Sequence, residues 1–112
     1  MIDCIFCKIA EKKIPAAIVR ESGSVMVIKD ISPQSPTHLL IIPKKHYATI
    51  MDCEDKELLG ELLQTAREIA KELGLSERGF RTVINTNAEG GQTVFHLHMH
   101  FMAGRALAGR MG

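Results

Sequence analysis

Apolar and polar positions alternate most strictly between Gln92 and Met102, and a period of two is the signature of a β-strand. Val94, His96, His98, His100 and Met102 fall on one face. Phe95, Leu97, Met99 and Phe101 fall on the other, which is wholly apolar and needs a core. At strand rise the three imidazoles stand in a row, neighbours roughly 6–7 Å apart.

The rest of the chain divides by the same reasoning. Asp3 is placed to cap a short helix over Cys4–Glu11, with Ile5, Phe6 and Ile9 as its apolar positions. Pro15 marks a break. Ala17–Glu21 reads as a strand, Glu21–Ser24 as a turn, and Val25–Ile28 as a β-branched strand. Asp30–Thr37, with two prolines and three hydroxyl residues, reads as a loop. His38–Ile42 is a further strand stopped by Pro43, with His38, Leu40 and Ile42 on one face. One long helix is expected from Asp52 to near Gly74, with Asp52, Glu54 and Asp55 in its first turn. Its stripe of Leu58, Leu59, Leu62, Leu63, Ala66, Ile69, Ala70 and Leu73 is expected to be core. Phe80–Asn85 is a strand, Thr86–Thr93 a loop, and 103–112 a mobile or partner-docked tail. The class is α+β: a mainly antiparallel sheet with helices packed on one side.

Composition adds limits. The 112 residues suffice for one domain, 1–112, with a core that needs no staples. Fourteen basic against thirteen acidic residues, with no like-charge block, argue against nucleic acid or an anionic membrane as partner. No window is long enough to span a bilayer, and the start resembles no secretory signal. Three cysteines, two of them spaced Cys4-x-x-Cys7, suit a reducing compartment or a metal, and a cytoplasmic location is expected.

Three histidines in register change the picture more. Protonated, they repel; neutral and buried, each needs its own partners. Packing gives no reason for the arrangement, whereas metal binding or nucleophilic and acid–base chemistry near neutral pH does. The preceding loop, Asn85 to Thr93, contains Gly90-Gly91, which lets successive N–H groups turn into an anion-binding concavity. Gln92 and Thr93 are expected to add donors beside it. Cys4 and Cys7 share a helix face, and as a pair they suit a redox couple, half a metal site or small core residues. Zinc needs two further N or S ligands, for which His46 and His96 are candidates.

His96-Leu97-His98-Met99-His100 followed by apolar residues resembles the histidine triad of the HIT superfamily. Asp30-Ile31-Ser32-Pro33-Gln34-Ser35-Pro36-Thr37-His38, Ile42-Pro43-Lys44-Lys45-His46, and Asn85 through Gly90-Gly91-Gln92-Thr93-Val94 resemble its Hint branch, the histidine triad nucleotide-binding proteins. The resemblance covers about residues 3–104. It implies a five-stranded antiparallel sheet with two helices, and a homodimer that joins two sheets into one. It implies hydrolysis of purine nucleoside 5′-phosphoramidates, such as AMP–amine or AMP–lysine conjugates, by way of a nucleotidyl intermediate on His98.

The remaining roles follow from the same resemblance. His100, with His38 behind it, hydrogen-bonds the leaving side, and His96 orients His98. Asn85, Gly91, Gln92 and Thr93 hold phosphate oxygens. Asp30 takes the ribose hydroxyls beside Ile31, while Ile5, Phe6, Ile9 and Ile28 wall the base. The Cys4-Ile5-Phe6-Cys7-Lys8 opening resembles bacterial members, some of which hold a structural zinc. The matching ligands here are Cys4, Cys7, His46 and His96. The tail lacks the C-terminal Trp of animal members, which leaves the preferred leaving group open. Rival readings are a dinucleoside polyphosphate hydrolase and a zinc-stabilised nucleotide-binding adaptor with incidental turnover.

Overall fold

The structure, a computed structural model, describes residues 3–111. The elements run α1 (Ile5–Ala10), β1 (Ile18–Glu21), β2 (Val25–Lys29), β3 (Thr37–Pro43), α2 (Lys56–Glu72), β4 (Arg81–Val83) and β5 (Met99–Ala103). All five strands form one antiparallel sheet in the order β1-β2-β3-β5-β4. The α+β class with five strands and two helices is therefore as expected. No described helix is long and apolar enough to cross a membrane.

The expectation that both helices pack on one side is corrected. Strands β2 and β3 are apolar on both faces, so each face needs a cover. Val25, Val27, Leu39 and Ile41 join Leu97, Met99 and Phe101 under the α2 residues Leu58, Leu62, Ala66, Ile69 and Ala70. Met26, Ile28, Leu40 and Ile42 face the opposite way and pack with Cys4, Phe6, Cys7 and Ile9 of the α1 segment. His38, His98 and His100 lie on this second face, beneath the short helix. Phe101, completely buried and stacked on Phe80 at 4.9 Å, anchors the first.

Several boundaries move for identifiable reasons. Cys4, not Asp3, caps α1: its Sγ accepts the Cys7 N–H, while Asp3 pairs with Lys8 at 2.5 Å. Asp52 does not begin the long helix. Its carboxylate accepts from the Thr49 N–H and hydroxyl, closing a capping box on a single 3₁₀ turn, Ile50–Asp52. Cys53 is extended, and Asp55 then caps α2 through the Leu58 N–H. Gly74, at φ 70°, follows the helix end as expected. The leucine stripe is only partly core. Leu63 (60% exposed) lies on the flank of the buried arc, and Leu73 (53%) is the C-cap residue, beyond the last turn that the sheet covers.

The histidine strand is shorter than its alternation implies. Regular pairing begins at Met99, and residues 94–96 bend. Pro43 at the end of β3 has no N–H to continue the ladder. Its carbonyl instead accepts from His96 Nε2 at 2.7 Å, and Leu97 N–H turns to the Tyr47 carbonyl at 2.7 Å. This bend leaves Phe95 half exposed rather than in the core. Ala103 is the buried last residue of β5, not part of the tail. The tail is tied back by Arg81 to the Ala108 carbonyl and by Arg105 to the Gln34 carbonyl.

Candidate active site and metal centre

Two constellations meet at His96. The first gathers Cys4, Cys7, His46 and His96, whose ligand atoms all lie within 4.8 Å of one another. Cys4 Sγ is 3.3 Å from His96 Nδ1, Cys7 Sγ is 3.3 Å from His46 Nδ1, and the two Nδ1 atoms are 3.2 Å apart. Donors around a tetrahedral zinc stand about 3.3–3.8 Å apart, given metal–ligand bonds of about 2.0–2.3 Å. The ring tautomer fits as well. A carbonyl only accepts, so His96 Nε2 carries its proton toward Pro43, and the neutral ring turns a lone pair toward the sulfurs. Burial, with Cys4 beside it, pushes the Cys7 thiol up to about 11, so a thiolate there needs a cation for company. The donor set fits a structural zinc or a like metal.

The second constellation lies under α1. His98 Nδ1 donates to the His96 carbonyl at 2.7 Å, which leaves Nε2 of the neutral ring with a free lone pair. Phe6 packs edge-on against both His96 and His98, at 5.7 and 5.3 Å. His38 Nδ1 accepts the Gln34 N–H at 2.9 Å, so its neutral ring is protonated on Nε2. That proton points at His100 Nδ1, 2.9 Å away. His100 is thereby the Nε2–H tautomer. Asp30 Oδ2 lies 3.3 Å from the same His38 nitrogen.

Burial, then the neighbouring His98 and His38, lower the His100 imidazole to about 4, against an opposing pull from Asp30. Burial likewise lowers His96 to about 4, with the Pro43 carbonyl opposing and His46 and His98 assisting. Both rings titrate near 6.5 when unfolded. Between about 4 and 6.5 the unfolded chain binds more protons, so stability rises with pH across that window and is lost as pH falls through it. Urea midpoints of metal-free protein are expected to fall from pH 6.5 to 4. A flat profile contradicts the burial of these rings, and His100→Gln should reduce the slope.

A cavity of about 510 Å³ opens onto this site. Its lining includes the expected Ile5, Phe6, Ile9, Ile28, Asp30, Ile31, Thr93, His98 and His100. Ile14, Pro15, Ala16, Ala17, Leu40 and Val94 also line it and were not anticipated. Leu40 and Val94 share strand faces with His38 and His98, a signal already present in the alternation. Residues 14–17 wall the cavity only because the chain doubles back after α1, which no local pattern announces.

The glycine loop differs from expectation. Gly91 N–H and Gln92 N–H are spent on the Ala88 and Asn87 carbonyls. The Gln92 amide donates to the Ala48 and Val94 carbonyls and accepts from Asn87 N–H, and Asn85 Nδ2 donates to the Gly90 carbonyl. Asn85, Gly91 and Gln92 therefore brace the loop and do not line the cavity. Thr93 does line it, and its hydroxyl and N–H make no hydrogen bond among the described residues. A Cβ on Gly90 would sit 2.4 Å from the Thr86 carbonyl oxygen. Gly90→Ala is expected to cost about 1–3 kcal/mol, read as a lower urea midpoint. Gly60→Ala, with open space in mid-helix, should instead raise the midpoint slightly.

The HIT domain profile matches residues 11–107. The chain belongs to the HIT family. This HIT protein is 44% identical over 107 residues to the purine nucleoside phosphoramidase of Escherichia coli (strain K12), covering 94% of this chain and 90% of that one. A HIT family hydrolase from Legionella pneumophila superposes with a TM-score of 0.94 at 50% identity, over 98% of this chain and all of the other. A zinc-bound histidine triad family protein from Mycobacterium smegmatis superposes at 0.81 with 33% identity, over 92% and 76% of the two chains. Hydrolases are thus among the relatives of this HIT protein.

Proposed function

We propose that this chain hydrolyses purine nucleoside 5′-phosphoramidates through a nucleotidyl intermediate on His98 Nε2. The observation that carries the reading is the 2.7 Å bond from His98 Nδ1 to the His96 carbonyl. It presents a neutral imidazole lone pair to a cavity that also contains Thr93, His100 and Asp30. The similarity to a purine nucleoside phosphoramidase supports the same substrate class.

In this reading the purine lies against Phe6, Ile9, Ile5 and Ile28, with Ile31 at the rim, and Asp30 accepts from the ribose hydroxyls. Thr93 donates to a phosphate oxygen. His98 Nε2 attacks phosphorus as the P–N bond breaks, and the departing nitrogen, hydrogen-bonded by the His100 Nε2–H, takes a proton from solvent and leaves as the free amine. Water then attacks phosphorus and gives up a proton to solvent as the bond to His98 breaks, which releases AMP and regenerates a neutral His98. The test is release of AMP and free amine from an adenosine 5′-phosphoramidate. Tight AMP binding without turnover would favour the adaptor reading.

The Cys4, Cys7, His46 and His96 set holds a structural zinc in this proposal. When bound, the ion supplies the charge that keeps the two sulfurs as thiolates. The chain itself provides the coupling, because His96 offers Nδ1 to that centre and its carbonyl to His98. A homodimer through β4 also belongs to the proposal. This three-residue strand is a sheet edge, and Met51, Leu63 and Phe95 are exposed apolar side chains. Light scattering is expected to give twice the chain mass; a single chain mass at micromolar concentration contradicts the dimer.

A further inference from the structure

We propose that Asp30 is a positioning residue that couples recognition of the ribose to the hydrogen bonding of the His38–His100 pair, so that the ribose hydroxyls set turnover as well as binding. The inference rests on the nucleotide-hydrolase reading above and goes beyond it by joining two roles that the reading keeps separate.

The argument begins with a single proton. His38 is buried, and its Nδ1 is occupied by the Gln34 N–H at 2.9 Å. The neutral ring therefore has one N–H, on Nε2. Two acceptors face it: His100 Nδ1 at 2.9 Å and Asp30 Oδ2 at 3.3 Å. Asp30 cannot easily withdraw, because its Oδ1 accepts the Ser32 N–H at 2.7 Å and its backbone N–H donates to the His38 carbonyl at 3.0 Å. The carboxylate is held beside a proton that it and an imidazole both attract. Ionised acceptors form the stronger hydrogen bonds, so the longer distance does not remove Asp30 from the competition.

A ribose diol alters this balance. Its hydroxyls donate to the carboxylate and spend the charge that Asp30 otherwise directs at His38. The His38 Nε2–H then goes to His100 Nδ1 alone. This holds His100 as the Nε2–H tautomer, the form that offers a donor to the leaving side. With a hydroxyl missing, Asp30 keeps part of its hold on His38, and the orientation of His100 loosens. A contact that only bound the ribose would act equally on ground state and transition state, and so would move KM alone.

The experiment pairs kinetics with ¹⁵N spectra of the imidazole nitrogens. Adenosine and 2′-deoxyadenosine 5′-phosphoramidates are compared on the wild-type chain and on Asp30→Asn. In the wild type the deoxy substrate is expected to lose roughly tenfold in kcat, and in Asp30→Asn the kcat difference between the two substrates is expected to vanish. AMP should shift the His38 Nε2 and His100 Nδ1 resonances further than 2′-deoxy-AMP does. A deoxy effect confined to KM, with the same His38 and His100 shifts for both nucleotides, overturns the coupling and leaves the hydrolase reading standing. Absence of wild-type turnover, with no nucleotide-induced shift at His98, overturns the hydrolase reading itself.

Discussion

His98→Ala is expected to lower turnover of an adenosine 5′-phosphoramidate by roughly 10⁴-fold or more while the chain stays folded. The substitution removes the one imidazole whose Nε2 lone pair faces the cavity, since the His96 carbonyl claims its Nδ1–H. No neighbour can replace it. His100 turns Nδ1 toward His38 and offers an N–H instead of a lone pair, and His96 is fully buried with its lone pair among the cysteines. AMP should still bind, because Thr93, Asp30 and the apolar wall remain. Loss of the buried ring leaves a cavity, so circular dichroism and a urea titration belong beside the assay. Rapid quench with a ³²P-labelled nucleotide should trap an acid-labile adduct on the wild type and none on the variant. Activity within tenfold of wild type would place the nucleophile elsewhere.

Removing the metal centre is expected to have the second-largest effect, this time on stability. Cys7→Ala should abolish zinc retention, read as metal per chain by mass spectrometry, and lower the thermal midpoint by about 10 °C or more. In small modules that fold only with metal, zinc contributes ~10–16 kcal/mol. Here two hydrophobic clusters already hold the sheet and its helices, so the smaller figure of at least about 3 kcal/mol is expected. The change should also reach the site. Cys4 caps α1, Cys7 lies in its buried face, and Phe6 between them packs on His98. AMP affinity should therefore weaken in Cys7→Ala, with Cys53→Ala as a control thiol outside the cluster. An unchanged midpoint and full zinc content in Cys7→Ala would exclude the four-residue centre.

The order and class of the five strands and of α1 and α2 followed from local pattern, because each depends on side chains a few residues apart. The 3₁₀ turn Ile50–Asp52 did not follow; it reads locally as the start of the long helix. Val25–Ile28 and His38–Ile42 are strands wherever they pack, and the stripe from Leu58 to Ala70 is helical on any sheet. Resemblance to the histidine triad likewise depends on short motifs, which is why Cys4, Cys7, His46 and His96 are legible as one set although Cys4 and His96, 3.3 Å apart in the fold, are 92 residues apart in the chain.

Contacts between distant segments decided the rest. The sequence contains doubly apolar strands but not the side from which a six-residue helix approaches them, and α1 covers the face opposite α2. Alternation promised a straight histidine strand, yet the lack of an N–H on Pro43, 53 residues away, ends the ladder and bends residues 94–96. The composition of the glycine loop promised free amides, but the turn that positions them also consumes those of Gly91 and Gln92 and leaves Thr93. Hydrogen bonds to Gln34, His96 and Pro43 assign the ring protons of His38, His98 and His96, and through His38 that of His100. By itself the sequence determined which chemistry was available, since residue type and local period suffice for that. The tertiary structure alone decided which lone pair faces the cavity, because a tautomer is set by the partner across the fold.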